Sequence, residues 1–155
     1  MTMCRCVLVI CATVWMYSAA GLCMPFENPE QPEKAALTSV WAQTALIVID
    51  MQKTFFRGES ALHMEVVSSN FVDLLAWART NGVEVVHIRQ VYARDGSDIP
   101  AFLRFQIQLD HMKPMMKGNE GVEPLECARE LPGEDVFVKQ GYDAFTNRKL
   151  GMHLR

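Results

Sequence analysis

A short apolar run that ends on an acid, Thr44-Ala45-Leu46-Ile47-Val48-Ile49-Asp50, constrains this chain more than any other feature. It is too short for a typical helix and rich in branched side chains, the pattern of a strand buried on both faces. After it, Val66, Val67, Phe71, Leu74, Leu75 and Ala78 recur at spacings of three and four, which makes one apolar face of a helix. Asn81-Gly82 stops that helix, and Val83-Glu84-Val85-Val86-His87-Ile88-Arg89 follows as a second strand. Strand, amphipathic helix and strand with short joints form a βαβ unit, so the two strands should run parallel. A turn at Leu131-Pro132-Gly133-Glu134-Asp135 then leads into a third strand, Val136-Phe137-Val138-Lys139, which ends on a base.

Between the second and third strands, Asp98 is placed to cap a helix with Pro100 in its first turn and Phe102, Phe105 and Leu109 on one side. Residues 113–124 carry Pro114, Gly118, Gly121 and Pro124 and read mainly as loop, with a short helical turn over 125–130. Thr146 is placed to cap a last helix whose Leu150 and Leu154 share a face. The fold class is α/β, a doubly wound parallel sheet in three α-β-α layers. Three strands make a thin sheet with an open edge, and the apolar face of the last helix, with Leu150 and Leu154, is expected to lack cover. Residues 44–155 therefore read as a C-terminally incomplete domain, for which self-association into a homo-oligomer is expected.

The chain is 50% hydrophobic and 21% charged, which excludes a disordered protein. Its formal net charge of -3 argues against a nucleic-acid partner, which would call for a basic face. Cys4, Cys6, Cys11 and Cys23 precede the folded part and only Cys127 lies within it, so no disulfide framework is expected. Residues 1–23 have one charge, Arg5, then the apolar stretch 7–20 and small residues beyond it, the layout of a signal peptide. That stretch is shorter than the roughly 20 residues of a bilayer span, so no stable membrane span is expected. The expected location is the secretory pathway or the cell exterior. An uncleaved anchor, or a mispredicted start on a cytoplasmic protein, are the rival readings. Residues 24–43, with Pro25, Pro29, Pro32 and three interleaved glutamates, read as a linker or arm.

In open α/β sheets ligands bind at the carboxyl ends of the strands. Asp50 and Lys139 occupy two such ends. An Asp there can act as a base, and a nearby Lys can hold it ionised or stabilise negative charge on a substrate. Their surroundings are Asp50-Met51-Gln52-Lys53-Thr54-Phe55 and Lys139-Gln140-Gly141-Tyr142-Asp143-Ala144-Phe145. With Val85-Val86-His87-Ile88-Arg89 and the Pro132-Gly133-Glu134-Asp135 turn, these four ordered motifs resemble the isochorismatase-like (cysteine hydrolase) family from about Thr44 onward.

The resemblance implies a hydrolase acting on a C–N bond, amide or ureide, of a small-molecule substrate. It makes Asp50 the general base and Lys139 its cationic partner, with Gln52, Phe55, Arg89 and Phe145 on the substrate side, and Tyr92 as a further pocket wall. The family's nucleophilic Cys starts the helix after the next strand, which places it beyond this chain and leaves the chain as given inactive. Cys127 precedes Lys139 instead of following it and reads as a structural or surface thiol. The alternative is a non-catalytic binding or interaction module, or a pseudogene fragment, that keeps the first half of the fold. No cofactor is expected and no metal. Relatives that bind one use an Asp-x-His absent here, and His63, His111 and His153 show no paired-ligand spacing.

Overall fold

The computed structural model describes residues 6–11, 40–58, 64–106 and 109–155. Its centre is a parallel sheet in the order β1-β2-β3-β4, formed by Cys6–Cys11, Thr44–Ile49, Glu84–Gln90 and Asp135–Lys139. The three strands expected from sequence are there, parallel and adjacent, with Ile47 opposite Val86 and Ile88 opposite Phe137. The fourth is a correction to the strand count. Cys6–Cys11, which the sequence places in a leader outside the fold, pairs with β2 from Cys6 opposite Thr44 to Cys11 opposite Ile49. The reason is the edge of β2: a row of N–H and C=O groups on an apolar strand takes up any extended apolar segment that reaches it.

Helix α1, Met64–Thr80, crosses one face of the sheet. Its Phe71, Leu75 and Ala78 pack on Leu46, Val48, Val83 and Val85. Alternate strand residues point the other way, as the pleat requires. On that second face Ile47, Val86 and Ile88 meet Leu150 of α4, Arg148–His153. Leu150 is fully buried, so the last helix has the cover that the sequence analysis finds lacking. Its N-cap is Asn147, which accepts from Lys149 N–H at 3.1 Å, and not Thr146, whose hydroxyl donates to the Asp143 carbonyl.

Two further expectations need correction. The packed body begins before residue 44, because Trp41 sets its ring edge-on to Trp77 of α1 at 5.1 Å. Asp98 caps no helix. It accepts from the Ala93 N–H at 2.6 Å, and the helical residues described are Ala101–Gln106, α2, and Leu109–Met112, α3. Leu103 of α2 is buried, while Phe102 and Phe105 face outward. Leu103 joins Tyr92, Ile99, Met112, Met115 and Met116 in a third apolar cluster beyond the carboxyl end of β3. Among the described residues no helix is long and apolar enough to cross a membrane.

Candidate active site

Asp50 follows β2 directly and Lys139 is the last residue of β4. One strand, β3, lies between them, so their backbones stand about 10 Å apart. The lysine stem spans that gap over the end of β3. Its Nζ donates to Asp50 Oδ2 at 2.8 Å and to the Tyr142 carbonyl at 3.4 Å. Both groups are out of solvent: Lys139 is 3% exposed and Asp50 7%. A buried charge needs a partner, and each is the other's.

The backbone at Asp50 is bent for this purpose. Its φ is +58°, the single non-glycine residue in the left-handed region among those described. That conformation costs an ordinary residue about 1–2 kcal/mol, less for Asp. The Asp50 N–H still donates to the Ile88 carbonyl at 3.0 Å, so the strand's pairing is kept while the chain turns. Asp50 Oδ2 is used by Lys139. Oδ1 is buried and has no hydrogen-bond partner among the described residues. Burial raises the Asp50 carboxyl above the ordinary value of 3.8, and the ammonium of Lys139 offsets only part of that rise. A carboxylate with a raised pKa is a better proton acceptor.

Gln52 is fully buried and is the brace of the site. Its amide nitrogen donates to the carbonyls of Gln90 and Val122, both at 3.1 Å, and its amide oxygen accepts from the Gln90 N–H at 2.8 Å. It thus ties the loop after β2 to the end of β3 and to the 120–124 loop. Gly121 in that loop lies so close to Pro114 that an added Cβ would stand 2.4 Å from its carbonyl oxygen. Replacing Gln52 by Leu should strand three buried backbone and side-chain bonds and destabilise the fold by about 2–4 kcal/mol. Urea unfolding of the variant measures this, and a loss under about 1 kcal/mol would show the brace to be dispensable.

The other expected residues lie at different distances from the pair. Phe55 packs against the Tyr92 cluster. Phe145 is half exposed just after the 141–143 turn. Arg89 is ion-paired with Glu130 and so is engaged away from Lys139 and Asp50. Cys127 is half buried against the α1-side cluster. Sequence reading missed Gln90, whose position at the end of the middle strand makes it the natural anchor for Gln52, and the Tyr142 carbonyl. Gln90 donates to the hydroxyl of buried Tyr92, which completes the floor beneath the pair. A hollow of about 450 Å³, lined by Pro100, Phe102, Gly141, Tyr142 and Thr146, opens at the turn that follows Lys139; neither Asp50 nor Lys139 lines it. The rings of Phe102 and Tyr142 face each other across 6.1 Å.

A buried carboxylate–ammonium pair at the carboxyl ends of a parallel α/β sheet, near a partly apolar hollow, is an enzyme-type site. Residues 44–155 match the isochorismatase domain, and the chain belongs to the isochorismatase family. It is 28% identical over 119 residues to a probable inactive nicotinamidase of Arabidopsis thaliana, covering 74% of this chain and 61% of that protein. A cysteine hydrolase from Pseudomonas syringae pv. phaseolicola superimposes with a TM-score of 0.62 at 25% identity, covering 86% of this chain and 60% of that one. N-carbamoylsarcosine amidase from Thermoplasma acidophilum does so with a TM-score of 0.55 at 27% identity, covering 72% and 60%. The chain thus spans about three fifths of the length of these relatives.

Proposed function

We propose that the protein is a hydrolase of small-molecule C–N bonds, amide or ureide, working through an Asp–Lys–Cys site to which this chain contributes Asp50 and Lys139. The observation that carries the reading is the Asp50 carboxylate: one oxygen held by Lys139 at 2.8 Å, the other buried with no hydrogen-bond partner among the described residues. An oxygen so placed is ready to take a proton. In the proposed cycle Asp50 accepts the thiol proton as the sulfur attacks the carbonyl carbon. It returns that proton to the nitrogen as the C–N bond breaks. It then takes a proton from the water that hydrolyses the thioester, and the thiol is restored. Lys139 keeps Asp50 ionised between steps and offsets negative charge on the substrate oxygen. The Phe102–Tyr142 hollow receives the apolar part of the substrate. That N-carbamoylsarcosine amidase shares this fold at 27% identity supports the bond type.

The nucleophile in this reading is a cysteine beyond the third crossover, roughly 30 residues after Lys139. The test is an assay of the 155-residue chain, and of a form continued through a further strand and cysteine, on a panel of small amides and ureides. The continued form should turn over and the shorter one should not. Turnover by the shorter chain would overturn the placement of the nucleophile. Inactivity of the continued form on every substrate would overturn the hydrolase reading in favour of a binding module.

A further inference from the structure

At the opposite end of the sheet, about 20 Å from Asp50 by the length of β3, the strand starts carry a second cluster. Glu84 opens β3, Asp135 opens β4 and His153 ends α4. One ligand atom from each lies within 4.8 Å of the others. His153 Nε2 is 2.6 Å from Glu84 Oε1, and Nδ1 is 3.8 Å from Asp135 Oδ2. We propose that these three residues form a divalent-metal site, with Zn²⁺ as the ion their chemistry suits best.

Zinc takes imidazole and carboxylate ligands, at about 2.0–2.2 Å from the ion. Around a tetrahedral ion such ligands stand about 3.3–3.5 Å from each other. The separation between Nδ1 and Asp135 is too long for a hydrogen bond and close to that spacing. An ion takes one ring nitrogen, so the carboxylate now at the other nitrogen must swing to the ion's side to complete the triad. The ring of Phe137 lies against the imidazole at 5.3 Å and fixes its plane. Glu84 and Asp135 also line an open cleft of about 340 Å³ on the Arg79 side, which gives solvent access to the two carboxylates. Arg79 lines the same cleft, but its guanidinium is bound by Glu134 at 2.7 and 2.9 Å. The ligands lie far apart in sequence, which is why no motif announces the site. Its effect would be structural, clamping α4 to β3 and β4.

Co²⁺ is the probe, because its visible bands separate nitrogen and oxygen ligands from thiolates and so set aside the cysteines. Titrated into the full chain at pH 7.5, it should bind saturably without a thiolate band and raise the unfolding temperature. Binding should weaken at pH 5.5, since a ring nitrogen must lose its proton to the ion. Zn²⁺ should displace the Co²⁺. His153→Ala and Asp135→Asn should each weaken binding by at least about tenfold. Asp135 is exposed, so its variant tests the site even if the His153 variant folds poorly. A thiolate spectrum, unchanged affinity in Asp135→Asn, or no saturation below about 1 mM would overturn the assignment.

Discussion

Asp50→Asn is expected to lower kcat/KM of the continued form by about 10²–10⁴, because it removes the proposed base and leaves the pocket's shape intact. Lys139→Ala should fall in the same range by a different route. Without the ammonium the buried carboxyl has nothing to offset its desolvation, so its pKa rises further and its charged form is disfavoured. The pH profile separates base from bystander. The acidic limb of kcat/KM should lie above 3.8, since the Asp50 carboxyl is raised and activity needs its charged form. The fold should survive both changes with a loss of about 1–3 kcal/mol, the usual cost of a buried polar group left without its partner. The double variant Asp50→Asn/Lys139→Met should recover part of that loss and none of the rate. Equal rates in the parent and both single variants would leave the pair with a structural role alone.

A large, pH-dependent effect on stability is expected at Glu134. Its carboxylate accepts from Arg79 at 2.7 and 2.9 Å and from the Leu131 N–H at 2.9 Å, and it meets His87 Nε2 at 2.9 Å. Burial by itself would raise its pKa. The bonds from Arg79, Leu131 and His87 outweigh that and hold it at about 2, from an ordinary 4.5. A depressed carboxylate stabilises the fold above its unfolded pKa, and the contribution is lost as pH falls through the folded one. Glu134→Gln should therefore cost about 2–3 kcal/mol at pH 7 and lower Tm by about 6–10 °C. The gap to the parent should close between pH 4.5 and about 2. Burial lowers the pKa of His87 from 6.5, with the Glu134 carboxylate opposing, so its own contribution begins to fade earlier, as pH drops below 6.5. Thermal melts of the two proteins across pH 2–7 measure both. A gap that stays constant down to pH 2 would show that Glu134 is not the coupled group.

Much of this was legible in the sequence because it rests on local period and on strand ends. The runs at 44–50, 83–89 and 136–139 are short, branched and separated by one clear amphipathic helix, and they became neighbouring parallel strands. Asp50 and Lys139 met because parallel strands put all their carboxyl ends on one side. What escaped had no local signature. Leu103 turns inward and Phe102 outward because the helix there sits on a Met-rich cluster, which periodicity over a few residues cannot show. Gln52 looked like a substrate contact, but its amide is engaged by Gln90 and Val122, partners far away in the chain. Cys6–Cys11 looked like a segment for export, and the hydrophobicity that suits export also suits a strand.

β1 holds the far edge of β2, so the apolar strand that leads into Asp50 lies inside the sheet, flanked on both sides, and not at its border. An outside strand seeking a border to pair with meets the short strands β1 and β4, and must displace Cys6–Cys11 before it reaches β2.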